Sequence, residues 1–214
     1  MKLLIFSSMG NRSDVLSSWL TTRSKKDLDL ESELIDIWIY SYVNPDQQFQ
    51  TLLNRVTYHD INQHASKFQN LVHAYKKYPE RFQKYSHIAI LDDDLIMNPS
   101  QIQEWFQIHQ KYGLDISQPS FKSGAGLQVS WKCTQTQPDN ILHYTTFIEM
   151  TAPMFSREIL EKWLPDFYPY SSSLAGWGTD LFYMLTLDPF KKYRYGVIDR
   201  IIVSNPIRAE STGM

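Results

Sequence analysis

The sequence predicts an α/β fold, a mostly parallel central sheet flanked by helices on both faces. Three observations carry this. Short apolar runs such as Leu3-Leu4-Ile5-Phe6 and Ile88-Ala89-Ile90-Leu91 break off in small polar or acidic residues, as buried strands do. Stretches with helical spacing alternate with those runs through the N-terminal half, which calls for crossover connections and a parallel sheet. Hydrophobic residues make up 43% and charged residues 21%, enough to bury a core and too apolar for a disordered chain. A length of 214 residues suits one α/β domain over 1–214, or at most two small ones.

Taken in order, Leu3–Phe6 reads as the first strand, closed by Ser7, Ser8 and Gly10. Leu34–Tyr40 reads as the second. From His64 to Tyr78 the apolar residues Phe68, Leu71, Val72, Tyr75 and Tyr78 keep a helical spacing until Pro79 interrupts it. Ile88–Leu91 is the third strand. A helix follows, with Asn98 as N-cap, Pro99 as first helical residue, Gln101 as capping-box partner and Gly113 as stop. Ile116–Pro119 is a fourth short strand, and 121–140 is irregular. Tyr144–Met150 reads as a further strand. Ser156 is placed as the next N-cap, with Phe155 and Leu160 as a hydrophobic staple around it. Gly176-Trp177-Gly178-Thr179-Asp180 opens a helix over Leu181–Leu187, and Val197–Val203 is the last strand. The C-terminal half is thus more mixed than the first.

Composition narrows the partners. A formal net charge of -2 gives no electrostatic case for nucleic acid. Cys133 is the one cysteine, so no internal disulfide forms. The apolar start is too short for a signal-peptide core, and no run approaches the roughly 18 residues of a membrane helix, so a cytoplasmic protein without a membrane span is expected. The 14% aromatic share fits a carbohydrate-facing cleft, and it also fits large core side chains.

The chemistry concentrates in Asp92-Asp93-Asp94, directly after an apolar strand. Three adjacent carboxylates repel one another unless a cation or water relieves them. In extended chain Asp92 and Asp94 face one side and Asp93 the other, and a same-side pair can hold Mg²⁺ or Mn²⁺ with substrate phosphate completing the shell. Ligands of open α/β sheets bind at the carboxyl ends of strands, where this triplet falls. The plainer alternative is a solvated strand end before a capped helix. A haloacid-dehalogenase-type phosphatase also places D-x-D after a strand, but follows its nucleophile with small residues; here Leu95-Ile96-Met97 follow.

Several blocks together resemble the glycosyltransferase-like family DUF707. They are Lys67-Phe68-Gln69-Asn70-Leu71, Leu91-Asp92-Asp93-Asp94-Leu95, Gly113 to Pro119, Phe147 to Ser156, Gly176-Trp177-Gly178-Thr179-Asp180 and Gly196-Val197-Ile198-Asp199. The family's wider resemblance is to enzymes of the GT-A type, which carry a D-x-D motif and use nucleotide-sugar donors. The resemblance implies a GT-A-like fold and a metal-dependent transfer of sugar from a donor of the UDP type to a hydroxyl of a glycan or other acceptor, with Mn²⁺ or Mg²⁺. It places Asp92 near the donor ribose, with Asp93 beside it, and makes Asp94, with Asp92, the metal-ligand pair. Ser7 and Ser8 fall where the nucleotide base is touched. Asp180 matches an acceptor-side acid that serves as base, giving inversion, and Glu149 is the reserve for that role. Relatives tend to show a histidine after the last strand. Here Val203-Ser204-Asn205-Pro206 stands instead, leaving Asn205 as a substitute amide ligand and a weaker or metal-free site as an alternative.

Other residues keep two readings each. Lys67 is either a point charge against donor phosphate or an exposed lysine on an amphipathic helix. His87 and His143 read as ordinary polar or core residues. Lys122-Ser123-Gly124-Ala125-Gly126 lacks the strand–loop–helix context of a phosphate loop and reads as a loop or a lid. Trp177 stacks on a sugar or packs into the core. The alternative function is a catalytically silent carbohydrate- or nucleotide-binding module, and the oligomeric state is left open.

Overall fold

The computed structural model describes residues 1–20, 34–62, 65–127, 129–171, 178–187 and 192–205. Its strands are β1 (Leu3–Met9), β2 (Ile35–Ser41), β3 (Tyr58–Ile61), β4 (His87–Leu91), β5 (Ile116–Phe121), β6 (His143–Thr145), β7 (Met154–Ser156) and β8 (Tyr195–Val203). The helices are α1 (Ser13–Trp19), α2 (Gln47–Leu53), α3 (Lys67–Lys77), α4 (Pro79–Phe82), α5 (Pro99–Lys111), α6 (Arg157–Phe167) and α7 (Thr179–Leu187). The strands form one eight-stranded sheet in the order β3-β2-β1-β4-β7-β5-β8-β6.

The parallel expectation holds where strand and helix alternate. β1 pairs in parallel with β2 and β4, and β2 with β3. Beyond β4 the sheet is mixed: β7 is antiparallel to both β4 and β5, β6 is antiparallel to β8, and β5 runs parallel to β8. The physical reason lies in the connection from β5 to β7. Among residues 122–153, the described ones form turns, one 3₁₀ turn and a three-residue strand, with no α-helix among them to make a crossover. The expected strand over Tyr144–Met150 correspondingly stops at Thr145. Pro119, which has no N–H to give, sits where the β5–β8 register shifts.

Alternation along β1 explains the layering. Leu3 and Ile5 join a core with α1, α2 and α5, including Leu16, Phe49 and Trp105. Leu4 and Phe6 join a second core with α3, α4, α6 and α7, including Phe68, Trp163 and Tyr183. A run of four apolar residues is therefore two half-runs facing opposite helical layers.

Helix ends obey local chemistry. Asn98 and Gln101 form the expected reciprocal capping box on α5, and Ser66 with Gln69 forms a second one on α3. Ser156 caps α6 by accepting from the Ile159 N–H. Gly113, at φ 57°, ends the run after α5 where a Cβ would lie 2.7 Å from Arg194. Among the described residues, no helix is long and apolar enough to cross a membrane.

Candidate functional site

The carboxyl ends of β1, β2, β3 and β4 converge on one edge of the sheet. Asp92-Asp93-Asp94 begins where β4 stops at Leu91, and the chain enters a turn at Asp93. The side-by-side alternation expected for extended chain therefore ends one residue too early to govern the triplet.

Each carboxylate has a different setting. Asp93 is buried and ties three strand ends together. Its Oδ2 accepts from the Tyr42 hydroxyl at 2.6 Å, just past β2, and from the Gly10 N–H at 3.3 Å, just past β1. A Cβ on Gly10 would lie 2.9 Å from the Tyr42 oxygen, so glycine lets that tyrosine close over the acid. Asp92 points partly outward, its side chain 34% exposed, and Oδ1 pairs with Lys67 Nζ at 2.6 Å. Asp94 is buried at 9% exposure.

Lys67 is itself buried, which removes the exposed-lysine reading. Its ammonium donates to the carbonyls of Met150 at 2.7 Å and Thr151 at 3.2 Å as well as to Asp92. Those three acceptors match its three N–H groups, so in this geometry it binds the β4 end to the segment before β7. That segment also meets the triplet directly, since the Asp92 N–H donates to Thr151 O at 3.0 Å.

The serines turn inward. Ser7 is fully buried and its hydroxyl donates to Leu91 O at 2.8 Å, which engages its one donor within the sheet. Ser8 accepts from Asn70 Nδ2 at 2.8 Å, and Asn70 accepts in turn from Asn62 at 2.6 Å. Tyr42, Asn62 and Asn70 are thus site-edge residues that sequence reasoning missed; Asn70 lay in the quoted Lys67–Leu71 block, while Tyr42 and Asn62 carry no motif.

A second acidic pair stands beside the triplet. Glu149 and Asp180 are buried at 6% and 7% exposure. Burial raises the pKa of Glu149, a hydrogen bond from Thr151 opposes this, and the charges of Asp180 and Asp92 raise it further. The Thr151 hydroxyl donates to Oε1 at 3.1 Å, and Gln118 accepts the Glu149 N–H at 2.6 Å. Asp180 lies in the first turn of α7, where Oδ1 accepts the N–H of Leu181 at 2.9 Å, so it also does the work of a capping acid. Tyr183, fully buried, anchors α7 by donating to Ile148 O at 2.6 Å, next to Glu149. The fold thus brings Asp92 and Asp180 within electrostatic reach of Glu149.

Among the described residues, no three acidic, histidine or cysteine side chains form a group able to hold a metal ion. A protein-only cage is therefore absent there. The residues suit a hard divalent cation only in the manner in which one or two carboxylates share it with substrate phosphates. Asn205 is part-buried past the end of β8. Gly176 and Trp177 lie outside the described residues. His143 bridges Asp199 Oδ2 at 2.7 Å and Cys133 O at 2.9 Å, and His87 packs on His109 at the opposite end of β4, both as framework residues. Lys122–Gly126 is a turn, with Gly126 at φ 76°.

The family model described as "Protein of unknown function (DUF707)" matches residues 64–209, more than half of the chain. The chain belongs to the DUF707 family. No curated protein matches it. Solved structures show the fold at low identity. S. aureus TarS 1-349 in complex with UDP-GlcNAc superposes with a TM-score of 0.58 at 11% identity, covering 100% of this chain and 62% of that one. TarS 1-349 with UDP gives 0.55, also at 11% identity, covering 98% and 61%. A TarS structure titled without those residue limits gives 0.58 at 11% identity, covering 97% and 37%. The DUF707 chain thus spans about three fifths or less of those TarS chains. The likeness establishes an α/β fold with a mixed eight-stranded sheet flanked by helices, shared with TarS.

Proposed function

We propose that this chain is a nucleotide-sugar-dependent glycosyltransferase of the GT-A type, acting as one domain over 1–214 and transferring a sugar to a hydroxyl of a glycan or other acceptor. The observation that carries the proposal is the meeting of Asp92–Asp94 with the Glu149–Asp180 pair at the carboxyl edge of the sheet. It is supported by the same fold holding UDP-GlcNAc and UDP in S. aureus TarS.

In this reading the donor lies along the ends of β1 and β4, with Asp92 and Asp93 at the ribose side. Lys67 acts by orienting Asp92, not by touching phosphate. Asp94, with the outward oxygen of Asp92 and with Asn205, would hold Mn²⁺ or Mg²⁺ jointly with the diphosphate; such an ion neutralises charge on a leaving diphosphate. Glu149 and Asp180 face the acceptor. The geometry supports reversing the order expected from sequence. Asp180 has one oxygen engaged by the Leu181 N–H at the start of α7, whereas burial, joined by the charges of Asp180 and Asp92, raises the pKa of Glu149 and suits it to take a proton. Glu149 then takes the proton of the acceptor hydroxyl as that oxygen attacks the anomeric carbon, and the nucleoside diphosphate leaves, with inversion.

Calorimetric titration of UDP-GlcNAc and UDP, with and without Mn²⁺, tests the donor site. Asp94→Ala is expected to remove the Mn²⁺-dependent part of binding while the melting temperature holds. Equal affinities of wild type and variant in Mn²⁺ would overturn the metal assignment. No binding of either nucleotide to the wild type would overturn the function.

A further inference from the structure

Just outside the acid pair stands an aromatic surface that neither core nor chemistry accounts for. Trp131 is 44% exposed, and its ring lies 4.7 Å from that of Phe147 between centroids, tilted by 50°. Phe147 precedes Glu149 by two residues. Ser130, next to Trp131 and exposed, reaches the Glu149 side chain and lowers its pKa. Ser130, the neighbour of Trp131, thus touches the carboxylate proposed as base, and Phe147 lies two residues before it in the chain.

The surface is rigidly held. The Trp131 carbonyl accepts from the Thr134 N–H at 3.0 Å and from the Thr134 hydroxyl at 2.8 Å, and Thr134 is fully buried. The same loop is fastened to β8 by Gln137 N–H on Asp199 at 2.7 Å, and to β6 by His143 on the Cys133 carbonyl. Phe147 is set by its N–H on the Thr145 hydroxyl at 3.2 Å. A large aromatic fixed at the surface by its backbone, with its ring left to solvent, is a prepared contact.

We infer that Trp131 and Phe147 form a stacking subsite for a pyranose ring of the acceptor glycan, placing its hydroxyl toward Glu149. A pyranose presents an apolar face of C–H groups and a rim of hydroxyls. The exposed Trp131 ring offers a flat partner for that face, with Phe147 packed at an angle beside it; exposed Ser130 and Lys132, on either side of Trp131, are positioned by sequence to meet the rim. The inference deepens the glycosyltransferase reading and rests on it for the direction of the hydroxyl.

The test uses the full chain as wild type, Trp131→Ala and Trp131→Phe, applied to a broad printed glycan array, with UDP-GlcNAc affinity measured in parallel by calorimetry. Wild type is expected to bind a defined subset of glycans. Trp131→Ala should weaken that binding by about 10-fold or more, and Trp131→Phe by no more than about 3-fold, as loss or retention of one ring contact implies. UDP-GlcNAc affinity and melting temperature should stay level in all three proteins. No glycan bound by wild type, or equal binding by Trp131→Ala, overturns the subsite. Loss of a wild-type dimer in Trp131→Ala, with no glycan bound, would overturn it in favour of a protein interface. Glycan binding that depends on Trp131 in a protein that never binds nucleotide would leave the subsite standing and sink the transferase reading instead.

Discussion

Lys67 shows how a single buried ammonium can set a whole edge of the sheet. It is bonded at once to Asp92 and to two carbonyls of the segment that carries Glu149, so it couples the end of β4 to that segment. Lys67→Met is expected to lose roughly 2–3 kcal/mol in denaturant unfolding, because two carbonyls and a carboxylate are left without their charged donor. The double variant Lys67→Met/Asp92→Asn should lose less than the sum of the single variants, and strict additivity would separate the two residues. The base assignment is tested by pH. Glu149 must be deprotonated to act, so transfer should fall as pH drops through its raised pKa. Removing the Asp180 charge relieves one cause of that rise. Asp180→Asn should therefore keep most of its activity and move the acid limb to lower pH, while Glu149→Gln should slow transfer by about 10²–10⁴-fold. The opposite ranking of the two variants in a pH–rate series would return the role to Asp180.

Among the elements, legibility followed the length of the pattern and the presence of a cap. α5 was readable because Asn98, Pro99, Gln101 and Gly113 all mark its ends. Asn98→Ala should cost about 1 kcal/mol in thermal or urea unfolding, since both halves of the capping box are made. A change below the measurement error would mean that packing of Trp105 and Phe106 alone holds that end. α1 and α2 are seven residues each, about two turns, too short for an apolar period to stand out. β7 is three residues long and owes its existence to β4 and β5 on either side, which no local propensity reports. The same limit explains the site. Asp92–Asp94, Glu149 and Asp180 lie in motifs and could be named from the sequence. Tyr42 and Ser130 become neighbours of those acids, and Asn70 of Ser8, only through strand ends and loops far apart in the chain, and the inward turn of Ser7 follows from a bond to Leu91 that the sequence does not announce.

At the scale of the whole molecule, the sheet separates a chemical end from a structural one. The acids gather where β4 ends, while β4 begins at His87, which packs on His109 at 4.8 Å between ring centroids. His109 donates to or accepts from Ser117 at 2.8 Å, and Trp105 donates to the same hydroxyl. Burial is the main cause that lowers both imidazoles, to about 4 for His87 and about 3 for His109, where the neighbouring His87 adds to the effect. The sign of the consequence is fixed by linkage. An unfolded histidine takes up its proton near pH 6.5, and the folded ones resist doing so, so the unfolded state binds more protons below that point. Stability is thus complete above about pH 6.5 and declines as pH falls toward 4 and 3, with a slope of up to about 1.4 kcal/mol per pH unit for each histidine. His59, also lowered chiefly by burial, acts in the same direction, whereas the raised Glu149 acts against it. Urea midpoints measured from pH 7.5 to 4.5 should fall on acidification, and His109→Gln, which keeps a polar partner for Ser117 but cannot titrate, should flatten the lower part of that curve. The chemical end should not notice, so UDP-GlcNAc affinity at pH 7.5 is expected to match wild type. Identical slopes in wild type and His109→Gln would move the acid sensitivity away from this histidine pair.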